Sequence, residues 1–70
     1  MTTEEWKTKL PCLVTNLDGG YNVIREVHGN RAFVVDEGDQ YWFFLEQLNF
    51  ICTMADLHKH MTKLYPEAYL

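Results

Sequence analysis

The residues that most often carry catalytic chemistry are sparse in this chain and are not spaced for it. The sequence contains no serine, and Cys12 and Cys52 lie among apolar residues, where burial would raise the thiol pKa and keep the sulfur unreactive. Asp36, Glu37 and Asp39 are close together, but in a segment of turn residues, where water leaves carboxylates with ordinary acidity. The sequence therefore predicts no catalytic residues and a protein that is not an enzyme.

The sequence supports a metal-binding site no better than it supports a catalytic site. Asp56 and His60 are four residues apart, on one helical face, whereas His58 and His60 point to different faces. Neither C-x-x-C nor H-E-x-x-H occurs in the chain, and a structural zinc site needs four converging ligands. We therefore expect neither a metal ion nor an organic cofactor.

The most informative feature is the run of four aromatic residues from Tyr41 to Phe44. In a strand, Tyr41 and Phe43 face one way and Trp42 and Phe44 the other, so both faces are large and apolar. Two interpretations stay open: all four rings belong to the core, or Tyr41 or Trp42 lies at an interface with a partner. Tyr41 and Trp42 are the candidate partner-binding residues, because these residue types often dominate the binding energy of interfaces.

The excess negative charge is confined to one short segment around these rings. The formal net charge is −4, and residues 36–46 contain four acidic residues and neither Lys nor Arg, so the other acidic and basic residues cancel. Asp36, Glu37 and Asp39 could steer the chain to a basic partner, although Asp, Glu and Gly also populate solvated turns for local reasons. Direct binding to a phosphate backbone is disfavoured, because the chain has no basic stripe.

The pattern predicts a small α+β domain with a helix at each end. Thr2 and Glu5 have capping-box spacing ahead of a short helix over residues 3–10, which Pro11 ends. Strands are predicted over residues 12–15, 21–28, 31–36, 40–45 and 49–51, with turns at Asp18-Gly19-Gly20, Gly29-Asn30 and Glu37-Gly38-Asp39. The strands between residues 21 and 45 form an antiparallel meander.

A second, amphipathic helix is predicted over residues 53–64. Thr53 suits its N-cap, and apolar residues recur at helical spacing at positions Met54, Leu57, Met61 and Leu64. This apolar stripe either packs on the chain's own sheet or docks against a partner or a second copy.

The segment that follows the meander suggests a known architecture. The run Gln40–Leu48, an aromatic strand that passes into a short helical turn, is followed by a further short strand at residues 49–51. Together with the preceding hairpin, the pattern resembles the Src-homology-three-like barrel over residues 21–52. The resemblance implies a partly open antiparallel barrel, and it implies binding only weakly, because that architecture hosts many unrelated functions.

Size and composition indicate one domain over residues 1–70. Apolar residues make up 47% of the chain and aromatic residues 14%, which offsets the small core available to so short a polypeptide. Cys12 and Cys52 are the two cysteines, and the start Met1–Glu5 is neither basic nor apolar. These features predict reduced, buried, structural thiols, no leader peptide, no membrane span and a cytoplasmic location.

Three functions are consistent with these observations. The first is a small non-catalytic protein-binding module, an inhibitor or adaptor that occludes a site on a larger enzyme or nucleic-acid machine. In size and character, though in no motif, such a chain resembles small phage-encoded anti-defence proteins, including anti-CRISPR proteins. The second is a structural subunit or homodimer whose apolar surface is a subunit interface. The third is a nucleic-acid-binding small barrel that stacks bases on its rings, which the acidic balance disfavours.

Overall fold

The computed structural model describes the backbone of residues 1–69 and their side chains, except those of Asp36, Ala68 and Tyr69. In chain order the elements are α1 (Thr3–Thr8), β1 (Cys12–Thr15), β2 (Tyr21–Ile24), β3 (Glu26–His28), β4 (Arg31–Asp36), β5 (Asp39–Phe44), a 3₁₀ helix (Leu45–Gln47), β6 (Asn49–Thr53), α2 (Met54–Leu64) and α3 (Pro66–Tyr69). The fold is α+β with helices at both ends, as the sequence predicts.

The strands just named form two antiparallel sheets of three strands each. In the first sheet β1 lies between β2 and β6, and in the second β4 lies between β3 and β5. The second sheet is the predicted meander, and its register pairs Phe33 with Trp42 and Val34 with Tyr41. This register determines which side chains share a face of the sheet.

The predicted strand over residues 21–28 is instead two strands that separate at Arg25. β2 pairs with β1 in the first sheet and β3 pairs with β4 in the second, so the chain changes sheet at this residue. The two sheets do not close into a barrel, and the resemblance to the Src-homology-three-like barrel is not confirmed. Ile24 and Val27 are both buried although they are three residues apart, whereas one regular strand buries residues an even number apart. The buried positions thus change from even-numbered to odd-numbered between Ile24 and Val27, and this change is the signal in the sequence that the strand is interrupted at Arg25.

The core draws on both sheets, on α1 and on the segment around the 3₁₀ helix. Its buried residues are Trp6, Cys12, Val14, Ile24, Val27, Ala32, Val34, Leu45 and Leu48. The ring of Trp6 meets the partly buried Phe50 edge to face, with centroids 6.1 Å apart. Full burial of an aliphatic side chain such as Ile24 contributes about 1.5–3 kcal/mol, so these residues are the main source of hydrophobic stabilisation among the described side chains.

The capping box of α1 forms as predicted. The Glu5 N–H donates to the Thr2 hydroxyl at 3.2 Å, and the Thr2 N–H donates to the Glu5 carboxylate at 3.4 Å. The hydroxyl of Thr3 donates to the carbonyl of Gly29 at 2.8 Å. This bond attaches α1 to the turn between β3 and β4, and thereby to the second sheet.

The second helix also begins where predicted, since the Asp56 N–H donates to the Thr53 hydroxyl at 3.1 Å. None of the side chains of α2 is buried. Met54, Leu57 and Met61 are half-buried, and Leu64 is 55% exposed. Contact with the chain's own sheet therefore does not bury the apolar stripe, and α2 adds little to the core.

Candidate protein interface

The register of the second sheet separates its side chains into two faces. Residues that are paired across neighbouring strands share a face, and successive residues of a strand alternate between faces. The inner face carries the buried Val27, Ala32 and Val34. The outer face carries Glu26, His28, Arg31, Phe33, Val35, Gln40, Trp42 and Phe44. We call the group of Arg31, Phe33, Val35, Trp42 and Phe44 the aromatic face.

Trp42 lies on β5 between Gln40 and Phe44 on the outer face, opposite Phe33 of β4, and is 42% exposed. Its ring meets the ring of Phe44 edge to face, with centroids 4.8 Å apart and planes at 79°. The guanidinium of Arg31 lies over the indole, 4.4 Å from the ring centroid, which is a cation–π geometry. These two contacts orient the indole while a large part of its surface stays open to solvent.

Phe33 and Val35 extend the aromatic face away from Trp42. The ring of Phe33 meets the imidazole of His28 edge to face, with centroids 5.3 Å apart, and Val35 is 68% exposed. His28 in turn lies 3.5 Å from the carboxylate of Glu26, and both side chains are well exposed. An apolar centre with polar residues at its border is the arrangement typical of protein interfaces.

A groove of about 750 Å³ opens beside the aromatic face, where β2 passes into β3. Tyr21 and Val23 line one side, Phe33 and Val35 line the other, and Arg25 lies at the bend. Grooves of this volume accommodate small ligands or the side chains of a partner. The groove therefore gives the aromatic face a concave border into which an apolar anchor can insert.

Tyr41 and Trp42, the two predicted aromatic site residues, lie on opposite faces. Tyr41 is half-buried on the inner face, where its ring meets that of Phe43 edge to face with centroids 5.6 Å apart. Its hydroxyl accepts a hydrogen bond from the Asn22 amide at 3.2 Å, and Asn22 belongs to the other sheet. Tyr41 therefore connects the two sheets, and Trp42 carries the exposed aromatic surface.

Glu37 and Asp39, two of the predicted acidic residues, lie at the turn that ends the second sheet, next to the pair of Val35 and Gln40. Glu37 and Asp39 are exposed at the turn between β4 and β5, while the side chain of Asp36 lies outside the described residues. Glu37 has φ 51° and Gly38 has φ 88°, as a two-residue type I′ turn requires. Asp39 precedes Trp42 by three residues, about 10 Å along the strand, and this odd separation puts Asp39 on the face opposite to Trp42.

Several residues of this surface were not predicted. The notable ones are Arg31, Phe33 and Val35, which line up on the outer side of β4 and alternate with the buried Ala32 and Val34. Because apolar residues occur at both the odd-numbered and the even-numbered positions of β4, the alternation predicts a strand but does not predict which of its two faces is buried in the core. The charge of Arg31 is the one signal for the outer side, since an unpaired charge is rarely buried.

The two thiols are free and differ in exposure. Cys12 is buried, as predicted, but Cys52 is half-buried, because it lies on the first sheet's outer side opposite Leu13. Burial raises the pKa of the Cys12 thiol, and the nearby Cys52 raises it further. Cys12 therefore stays protonated and unreactive at neutral pH.

Among the described side chains, no three His, Cys, Asp or Glu groups are arranged so that they could hold a metal ion. Within residues 1–69, no helix has both the length and the apolar character that crossing a membrane requires.

Comparisons with known proteins supply no relative. No protein-family model matches the chain, and neither curated proteins nor solved structures give a match.

Proposed function

We propose that this chain is a small non-catalytic protein-binding module that binds a larger protein through the aromatic face. The observation that carries the proposal is the exposure of Trp42, which is 42% open to solvent between Arg31 and Phe44. The part of the indole that is left in water contributes no burial to the stability of a free monomer. Trp and Arg are the residue types most enriched among those that dominate interface energies.

The acidic turn supports a partner with a basic rim. Glu37 and Asp39 are exposed at the turn that ends the sheet next to Val35 of the aromatic face, and no Lys or Arg occurs in residues 36–46. Complementary charge accelerates encounter and excludes wrong partners more than it adds affinity. The proposed division of roles is therefore that the rings and the adjacent groove supply affinity, and the carboxylates supply steering.

The partner that fits best is an enzyme or nucleic-acid machine that presents an apolar side chain beside basic groups. A domain this small acts by covering such a site, so its role is that of an inhibitor or adaptor, the manner in which small phage-encoded anti-defence proteins act. We propose a cytoplasmic location, in keeping with two free thiols. We also propose a relation to Src-homology-three-like architecture, supported by the β3–β5 meander, the 3₁₀ helix and the return of β6 to β1.

The test is a quantitative affinity capture from the native cytoplasm with the full chain. Trp42→Ala removes the indole from the aromatic face, and Tyr65→Ala is the matched control, since Tyr65 is a 56% exposed aromatic residue at the end of α2. We expect the partner to be lost with Trp42→Ala and retained with Tyr65→Ala. The double variant Glu37→Lys/Asp39→Lys should lower capture most strongly at low salt. Equal recovery of the same partner by wild type and Trp42→Ala would reject the proposal.

A single-stranded nucleic acid is the second candidate, and one observation favours it. Arg25, Arg31 and His28 all lie on or beside the aromatic face, and aromatic rings with arginine are the common means of binding unpaired bases. The net charge of −4 opposes it. Fluorescence anisotropy with single-stranded DNA and RNA oligonucleotides at low salt separates the two candidates, and we expect no binding.

A further inference from the structure

β5 is an outer strand of the second sheet, because the strand order is β3-β4-β5. One edge of β5 pairs with β4, and within residues 1–69 no strand pairs with its other edge. An unpaired edge presents backbone N–H and C=O groups to any extended chain that approaches it. The composition of β5, with four aromatic residues and neither Lys nor Pro, lacks the features that usually block such pairing.

The hydrogen bonds around β5 determine which groups point to the free edge. The N–H of Leu45 donates to the carbonyl of Asn30 at 2.8 Å, so Leu45 points towards β4. Backbone groups alternate in direction along an antiparallel strand. The odd-numbered residues of β5 therefore point to β4 and the even-numbered ones to the free edge, namely Gln40, Trp42 and Phe44.

A side chain already occupies one end of this edge. The N–H of Phe44 donates to the side-chain oxygen of Gln47 at 3.0 Å, which closes the edge beyond Trp42. In the described part of the chain, the outward N–H and C=O groups of Gln40 and Trp42 have no such partner. Two donors and two acceptors remain open on a short stretch of extended backbone.

We propose that these groups pair with β5 of a second copy of the chain. The two strands are antiparallel, with Gln40 of each copy opposite Trp42 of the other and with Tyr41 on the two-fold axis. Each Gln40 N–H then donates to a Trp42 carbonyl and each Trp42 N–H to a Gln40 carbonyl, so four hydrogen bonds satisfy every open group. A register shifted towards Phe44 would need the N–H that Gln47 already occupies.

The charges of the two copies are compatible with this register. Asp39 of one copy lies opposite Phe43 of the other, so the two Asp39 residues are four positions apart along the paired strands, about 13 Å. That separation exceeds the Debye length of about 8 Å at physiological ionic strength. The acidic turns thus lie at opposite ends of the paired strands, whereas a register shifted towards the turn would bring them closer.

The pairing also joins the two candidate binding surfaces. It makes one six-stranded sheet, in which Trp42 of one copy is the diagonal neighbour of Trp42 of the other, with Cβ atoms about 7–8 Å apart. The aromatic faces become continuous across the two-fold axis. The strand pairing and the partner proposed above can be tested separately. Trp42→Ala removes the indole ring but keeps the backbone N–H of residue 42, whereas Gln40→Pro removes the backbone N–H of residue 40 but keeps the indole ring of Trp42.

Sedimentation velocity of the full chain from micromolar to millimolar concentration tests the pairing. Gln40→Pro removes an N–H that β4 does not use, and Gln40→Ala is its matched control, since it keeps the N–H. We expect wild type and Gln40→Ala to dimerise alike. Gln40→Pro should raise the dissociation constant at least about tenfold, because two of the four hydrogen bonds are lost. Circular dichroism of Gln40→Pro verifies its fold.

Amide hydrogen exchange of the wild type gives a second readout that requires no variant. The Gln40 and Trp42 amides should become protected as the protein concentration rises, while the Phe44 amide, already bonded to Gln47, should change less. A monomeric wild type at millimolar concentration overturns the proposal. So does a dimer whose Gln40 and Trp42 amides exchange as fast as in the monomer, or one that Gln40→Pro leaves intact.

Discussion

Arg31 and Trp42 touch diagonally across β4 and β5. Arg31 is paired with Phe44 and Trp42 with Phe33, yet the guanidinium reaches across to lie 4.4 Å from the centroid of the indole. Phe44 meets the same indole from within its own strand. Trp42 is therefore both exposed and held in one orientation, and a side chain fixed before binding loses less entropy when a partner covers it.

The contact between Arg31 and Trp42 should be measurable in the free protein. Urea unfolding of Arg31→Ala, Trp42→Ala and the double variant forms a double-mutant cycle. We expect a coupling free energy of about 0.5–1 kcal/mol, the size of a solvent-exposed cation–π contact. Arg31→Lys keeps the charge but loses the planar stacking group, so its coupling should be smaller. A coupling indistinguishable from zero would mean that Arg31 does not orient the indole.

The buried residues of the sheets should matter far more to stability than the stripe of α2. Ile24 is fully buried, whereas Met61 is half-buried on a helix with no buried side chain. Ile24→Ala should lower the free energy of unfolding by about 2–5 kcal/mol through lost burial and the cavity left behind. Met61→Ala should cost less than about 1 kcal/mol. Comparable losses in urea unfolding would show that α2 is packed more firmly than the exposure of its side chains indicates.

The turn between β4 and β5 contains a residue that is unfavourable for its backbone conformation. Glu37 has φ 51°, and Asn-Gly is preferred over Glu-Gly in a type I′ turn. Glu37→Asn should therefore raise the free energy of unfolding by about 0.5–1 kcal/mol. If the carboxylate serves steering, the same variant should bind the captured partner more slowly at low salt. If Glu37→Asn neither raised the free energy of unfolding nor slowed binding, Glu37 would be neither a strained turn residue nor a steering residue.

Cys12 should make stability depend on alkaline pH. Burial, and to a smaller extent Cys52, raise the pKa of its thiol, so the folded chain holds this proton more tightly than the unfolded chain does. The contribution of Cys12 is therefore complete below the unfolded thiol pKa, about 8.5, and declines as pH rises through the higher folded pKa. Cys12→Val cannot titrate at this position and is the control. As pH rises into the alkaline range, the free energy of unfolding of the wild type should fall relative to that of Cys12→Val. A difference that stays constant with pH would contradict a contribution from the Cys12 thiol.

Sequence patterns predicted the elements that depend on neighbouring residues. The Thr2–Glu5 capping box, the Thr53 N-cap and the tight turn at Gly29 are short-range features, and each forms where its residues indicate. The break at Arg25 depends on how two sheets meet. The local sign of this break in the sequence is that the apolar core positions change from even-numbered to odd-numbered between Ile24 and Val27.

The candidate site was predicted in part for a similar reason. The alternation of Tyr41 and Trp42 correctly puts them on opposite faces, but which face is covered depends on the first sheet and α1, far away in sequence. Arg31 and Phe33 join the site through cross-strand pairing with β5. Such pairing emerges from the register, which a single strand's composition does not specify.

Photo-crosslinking from position 42 tests directly whether Trp42 contacts another protein. A benzophenone amino acid at position 42, or at position 65 as control, is introduced into the full chain and irradiated in the native cytoplasm. We expect an adduct with one other protein from position 42 and none with that protein from position 65, while adducts with a second copy are distinguished by mass. An absence of such an adduct from position 42, or equal adducts from both positions, would contradict the claim that Trp42 marks a binding surface.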